Sequence, residues 1–184
     1  SALGRMVIRL GKHFGFRTLN VVRRAEQVDE LKSLGGDVVV PFDATNQEPE
    51  TLNEEVMRAT NKKGVPFAID PVGGTTCAAT VACLGPQGRM LVYGTLTEDP
   101  LTISPRTLMT PEASIEGFWL ARWMPRQKLL TKLRLVRTIT RLMRAGVLVS
   151  DVGASYPLES IADAVQEAET VGRNGKVLLR ISEI

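Results

Sequence analysis

The sequence predicts an α/β fold, an open, doubly wound parallel sheet with helices on both faces. Two observations carry this. Short β-branched runs alternate with stretches of helical length along most of the 184 residues, the pattern of strands joined by helical crossovers. The runs are also almost continuously apolar, which suits strands buried on both faces, and each enters a turn rich in Gly, Pro, Asp or Arg.

In chain order, Gly4 to Phe14 reads as a helix turning Leu3, Val7, Ile8 and Leu10 toward the sheet. The strand Thr18 to Val22 follows, then a helix from Glu26 to Leu34 and the strand Asp37 to Val40. The helix Glu50 to Thr60 carries Leu52 and Val56 one turn apart, and its acidic start suits the positive end of a helix. Next come the strand Phe67 to Asp70, the helix Thr75 to Leu84 and the strand Arg89 to Tyr93. A Pro- and Thr-rich passage from Thr95 to Pro111 leads to a strand at Ser114 to Leu120. In the long helix that follows, Leu129, Leu133, Val136, Ile139 and Met143 form one apolar stripe, and Gly146 supplies a left-handed stop. A helix from Leu158 to Thr170 and a strand from Gly175 to Ile181 close the chain.

Composition narrows the function classes. At 43% apolar the chain can bury one sizeable core. No apolar stretch approaches the roughly 18 residues needed to cross a bilayer, so no membrane partner is expected. Net charge is +3, yet Arg126, Lys128, Lys132, Arg134, Arg137, Arg141 and Arg144 fall in one helical stretch without an intervening acid, leaving the remainder net negative. No aromatic residues interleave with these cations, so they read as a solvated face with snorkelling side chains, and no nucleic-acid partner is expected. Cys77 and Cys83, six apart in a helical stretch, point in different directions and predict no disulfide. His13 is the sole histidine and sits at a helix end, so no zinc set is expected, and no Ser/His/Asp triad motif is present.

The beginning is unusual. A doubly wound sheet ordinarily opens on a strand whose glycine-rich turn admits a pyrophosphate to the first helix. Here Ser1-Ala2-Leu3-Gly4 reads as the end of that turn, and the strand before it is expected to be missing, leaving a gap or irregular edge in the sheet. Free N–H donors at a helix N-terminus suit a pyrophosphate, although the same four residues read equally as an ordinary helix start. Arg23 and Arg24 follow the Thr18–Val22 strand, where this fold meets the adenosine ribose. An acid there accepts from the 2′-hydroxyl of NAD, whereas arginine suits the 2′-phosphate of NADP; the alternative is a solvated pair. Val72-Gly73-Gly74 and Tyr93-Gly94-Thr95-Leu96 end two strands on the side where open α/β sheets bind ligands.

Taken in order, Ser1–Arg5, Thr18–Arg23, Leu31–Gly35, Val72–Gly74, Tyr93–Gly94 and Gly117–Leu120 together resemble the zinc-independent medium-chain dehydrogenase/reductases. Asn20–Arg23 and Gly117-Phe118-Trp119-Leu120 most resemble the mitochondrial-type trans-2-enoyl thioester reductases, with quinone oxidoreductases next. The resemblance spans essentially the whole chain. It implies a Rossmann-type nicotinamide-nucleotide-binding domain over residues 1–153, truncated at its start, and a helix and strand over 154–184 that pack on a substrate domain not included here. It further implies NADPH as cofactor and an acyl thioester, on coenzyme A or acyl carrier protein, as substrate of the parent. The implied setting is intracellular and reducing: mitochondrial in a eukaryote, cytoplasmic in a bacterium. Tyr93 to Leu96 would lie near the nicotinamide half, and Phe118, Trp119 and Leu120 against the nicotinamide. On composition those three are equally core or a strand of a dimer, and the family's preceding strand pairs across a dimer axis, so a homodimer through Ser114 to Trp119 is expected. Lys176 matches a lysine near the cofactor or is a solvated strand end. The catalytic proton donor is expected in the missing domain, which would leave this chain alone inactive.

Overall fold

The computed structural model describes residues 1–170 and 175–181. Of the C-terminal segment expected over 154–184, positions 171–174 and 182–184 lie outside the described residues. The chain forms two compact units, Arg17–Arg134 and the combination of Ser1–Phe16 with Leu135–Ile184.

The Arg17–Arg134 unit contains β1 (Leu19–Val22), α2 (Gln27–Ser33), β2 (Val38–Pro41), α3 (Pro49–Ala59), β3 (Val65–Asp70), α4 (Gly74–Val81), β4 (Leu84–Val92), α5 (Pro105–Met109), β5 (Ser114–Gly117) and α6 (Leu120–Trp123). The other unit begins with α1 (Ala2–Phe14). β1 pairs with β2 in parallel, Leu19 opposite Val38, and β3, β4 and β5 form a second parallel sheet in that order. The predicted α/β class is therefore present, with the strands in two pieces. Among the described residues, the second edges of β1 and β3 have no strand partner, which is the irregularity the sequence led us to expect.

Local chemistry explains the elements. α3 opens with Pro49 in its first turn and Glu50 near its positive end. After Thr60 the chain reverses through Asn61 and Lys62, both at positive φ, and Gly64, where a β-carbon would sit 2.6 Å from the Gly85 nitrogen. Only glycine fits that crossing of backbones. Leu52 and Val56 then pack with Val40, Phe42, Ala79 and Cys83, and Leu19, Val21 and Val65 border the cluster, so strands of both sheets share one core. A second cluster joins Cys77 and Val81 of α4 to Leu84 and Met90 of β4, with Leu108 and Ile115 against it.

Several expected boundaries move. The helix expected to reach Leu84 ends at Val81, because Leu84 already pairs with Val65. β4 thus begins five residues early, and its Gly85–Gly88 stretch, with Gln87 at φ 56°, loops out before Arg89 rejoins the ladder opposite Phe67. The strand expected to reach Leu120 stops at Gly117, where the β4 ladder ends at Val92, and Leu120 opens α6. β3 is covered on one face only: Ala68 and Asp70 turn inward while Phe67 and Ile69 are exposed.

The second unit holds α1, the larger part of α7 (Leu129–Arg144), β6 (Val152–Pro157), α8 (Ile161–Glu169) and β7 (Lys176–Arg180). β6 and β7 pair in parallel, and α8 packs on both. Ile8, Leu142, Val147 and Ala164 are its buried apolar residues. Of the four α1 residues expected to face the sheet, Ile8 is buried, Val7 and Leu10 are half-buried and Leu3 is exposed. Arg9 Nη1 donates to the Val149 carbonyl at 3.0 Å, and Arg5 and Arg9 reach the Asp151 carboxylate at 3.5 and 3.4 Å. Gly146, at φ 70°, stops α7 as expected, and Leu129, Leu133, Val136, Ile139 and Met143, the expected apolar stripe, are all exposed.

Candidate functional site

The carboxyl ends of β3, β4 and β5 are tied together by backbone hydrogen bonds. The Tyr93 N–H donates to the Asp70 carbonyl at 2.9 Å, Leu96 to Pro71 at 3.1 Å and Thr97 to Val72 at 3.0 Å, so residues 93–97 run beside 70–72. From the next strand, the Phe118 N–H donates to the Val92 carbonyl at 2.8 Å. The structure thereby brings together Val72, Gly73, Gly74, Tyr93, Gly94, Thr95, Leu96 and Phe118 at the end of one parallel sheet, where a helix-covered sheet offers a crevice to ligands. Gly73 and Gly74 take φ of 86° and 53°, and a β-carbon on Gly74 would lie 3.0 Å from side-chain carbons of Thr97 and Asp99. The turn requires glycine twice, for conformation and for closeness.

Asp70 organises this turn, a role the sequence reading did not give it. It is 3% exposed, and its Oδ2 accepts from the Val72 N–H at 3.1 Å and the Gly73 N–H at 2.7 Å. Its spacing carried the signal, since a carboxylate two and three residues before a turn's N–H groups is placed to cap them. Burial pushes the neighbouring Cys77 thiol up to about 12, and the Asp70 charge adds to the effect. Burial and then Asp70 also push up the Tyr93 phenol. Cys77 therefore stays a protonated thiol and is no nucleophile. Phe118 leans on Trp123 with ring centroids 5.9 Å apart, while Trp119 is 72% exposed and Leu120 is exposed.

Arg23 and Arg24 stand at the end of β1, in the other sheet of the same unit. Arg23 is exposed and Arg24 half-buried, and among the described residues neither forms an ion pair. Beside them the Phe42 N–H donates to the Val22 carbonyl at 2.7 Å, so the chain leaving β2 runs alongside the chain leaving β1. Asp43 follows, and its carboxylate accepts from Thr45 Oγ1 at 2.8 Å, the Thr45 N–H at 3.1 Å and Asn46 Nδ2 at 3.1 Å. The Thr45 bonds first, then Asn46 and the charge of Arg23, hold its carboxyl below the ordinary value.

The remaining expected residues belong to the other unit. Ser1 caps α1, its Oγ accepting from the Gly4 N–H at 3.1 Å, so the hydroxyl occupies one of the first-turn donors of Ala2, Leu3 and Gly4. Lys176 opens β7, exposed, with its N–H donating to the Asp151 carbonyl at 2.8 Å.

The profile of the zinc-binding dehydrogenase family matches residues 2–136. The mitochondrial enoyl-[acyl-carrier-protein] reductase of Rattus norvegicus is 28% identical over 173 residues, covering 90% of this chain and 44% of its own length. A solved structure from Bacillus thuringiensis, described as an NADPH:quinone reductase, superposes with a TM-score of 0.85 at 26% identity over 99% of this chain and 54% of its own. A second, from Mesorhizobium loti and described in the same words, gives 0.78 at 32% identity over 98% and 51%. The chain thus spans about half the length of these relatives.

Zinc, the metal of the family's name, finds no donor set among the described residues. Among the described residues no three His, Cys, Asp or Glu side chains converge, both cysteines are buried with thiols pushed up to about 12, and His13 is stacked edge-on against Phe14. With a parallel α/β unit, a glycine turn at its strand ends and a family profile covering most of its length, the chain belongs to the zinc-binding dehydrogenases, within the medium-chain dehydrogenase/reductase oxidoreductases.

Proposed function

We propose that this chain is the NADPH-binding portion of a reductase acting on the 2,3 double bond of an enoyl thioester, of the fatty-acid-synthesis type. The observation that carries the reading is the joining of Val72–Gly74 to Tyr93–Thr97 at the carboxyl ends of parallel strands, with Arg23 and Arg24, which form no ion pair among the described residues, at the end of β1. NADPH, when bound, supplies a hydride. The chain's own residues hold it. The bare backbone of Val72–Gly74 and Gly94 would admit the dinucleotide, and Arg23 with Arg24 would take the 2′-phosphate. Phe118, Trp119 and Leu120 would hold the nicotinamide and exclude water from it. Asp70 accepts backbone N–H bonds and Cys77 holds its proton, so neither of them protonates the product. The proton reaches the product from the remainder of the longer protein.

The enoyl reading draws on the named function of the rat relative, and the setting on its mitochondrial name; a bacterial host would place the protein in the cytoplasm. Quinone reduction is the second reading, drawn from the names of the Bacillus and Mesorhizobium structures. No helix among the described residues is long and apolar enough to cross a membrane. We further propose a homodimer formed along β5, whose outer edge has no partner strand among the described residues.

Following NADPH consumption by the full-length protein separates the readings. Turnover of crotonyl and longer enoyl thioesters is the expected result. Turnover of quinones alone selects the second reading. Cofactor binding with turnover of neither makes the protein a non-catalytic nicotinamide-nucleotide-binding module and overturns the proposal.

A further inference from the structure

An acid stands next to the arginine that the cofactor reading depends on. β1 and β2 end in register, Val22 opposite Pro41, and the Phe42 N–H bond to Val22 keeps the two chains together one residue further. Asp43 therefore emerges beside Arg23–Arg24, from the neighbouring strand. Its carboxylate is fixed: three donors from Thr45 and Asn46 hold it, and its own N–H is held by Gln47 Oε1 at 2.8 Å. A fixed negative charge here does two things. It offsets part of the Arg23 charge, and it repels a phosphate that approaches Arg23.

We propose that Asp43 is a specificity-determining residue that limits the preference for a 2′-phosphorylated cofactor. The inference rests on the assignment of Arg23 to that phosphate. Its physics is Coulombic. NADPH brings a nearly dianionic phosphate to this end of the sheet and NADH brings a hydroxyl, so the Asp43 charge acts on one cofactor and barely on the other. Exposure to water keeps the effect modest, and added salt screens it.

The test uses the full-length protein with Asp43→Asn, Asp43→Glu and Arg23→Ala, reading dissociation constants for NADPH and NADH by calorimetry over a salt series. Asparagine keeps an acceptor for Thr45 and removes the charge; glutamate keeps the charge and strains the turn. Asp43→Asn is expected to raise the NADPH-over-NADH preference about threefold at low salt, with the gain fading as salt rises, while Asp43→Glu leaves the preference near wild type. An unchanged preference in Asp43→Asn, or equal shifts for both cofactors, overturns the inference. So does a gain in Asp43→Glu as large as in Asp43→Asn, because the turn rather than the charge would then be responsible. Arg23→Ala separates the two layers. If it abolishes the preference while Asp43→Asn does nothing, only the role of Asp43 falls; if it leaves the preference intact, the phosphate assignment falls and the inference with it.

Discussion

Helices α3 and α7 have similar apolar spacing and opposite surroundings. Leu52 and Val56, one turn apart on α3, are each 1% exposed, whereas Leu129, four residues before Leu133 on α7, is 70% exposed. The difference lies in the neighbours. α3 is a crossover between parallel strands, so β2, α4 and the strand ends fix what lies beneath it. α7 crosses to no strand in the Arg17–Arg134 sheets, and of its apolar residues only Leu142 is buried. Periodicity states which residues share a face, while the chain's connections decide whether that face is covered.

The largest effect should follow from disturbing the covered helix. Leu52→Ala removes a fully buried side chain and is expected to cost about 2–5 kcal/mol of stability, whereas Leu133→Ala on α7 should stay within about 0.5 kcal/mol. Chemical denaturation of the full-length protein reads both. Equal losses would break the comparison, since α7 would then be as well covered there as α3 is here.

The acid of each sheet end sharpens the same contrast at smaller scale. Asp70→Ala leaves two backbone N–H groups of a buried turn without their acceptor, a loss of about 1–3 kcal/mol with weaker NADPH binding alongside. The half-buried Asp43 should matter less to stability and more to pH. Its folded pKa is depressed, so its contribution is complete above the ordinary carboxylate range and is lost as pH falls through the depressed value. A titration following the Thr45 amide by NMR should show that loss only in acid, below the ordinary carboxylate range. A Thr45 shift centred at or above the ordinary value would mean the hydrogen bonds are not made in solution.

The smallest effect concerns the two buried cysteines, Cys77 on α4 and Cys83 just after it. With both thiols buried and pushed up to about 12, Cys77 and Cys83 should resist alkylation at pH 8 until denaturant is added. Ready labelling of the native protein would show that this core opens.

How much of this was legible in the sequence depends on how local the signal was. β1, β2 and β3 were readable because Leu19–Val22, Val38–Val40 and Phe67–Asp70 are apolar or β-branched runs bounded by turn residues. The start of β4 was not, because Leu84 reads as the end of the preceding helix and Gly85-Pro86-Gln87-Gly88 as a turn, and only the pairing of Leu84 with Val65 makes it strand. β6 was missed for a related reason: Gly153, Ser155 and Pro157 are poor strand formers, and the ladder with β7 imposes the conformation. α5 did leave a signal, a Ser104 cap followed by Pro105, but a run of prolines and threonines obscured it. At the site, the glycines of Gly73–Gly74 and Gly94 were visible as turn chemistry. The bonds that draw Thr97 to Val72, and the register that sets Asp43 beside Arg23, join residues twenty or more apart and have no local signature.

The central claim is that the end of β1 is built for a phosphate, and one calorimetric comparison reaches it directly. In the full-length protein, Arg23→Ala should weaken NADPH binding by about 1.5–3 kcal/mol, the worth of a charge-assisted hydrogen bond, and leave NADH binding nearly unchanged. Equal losses for the two cofactors, or no loss for either, would contradict it.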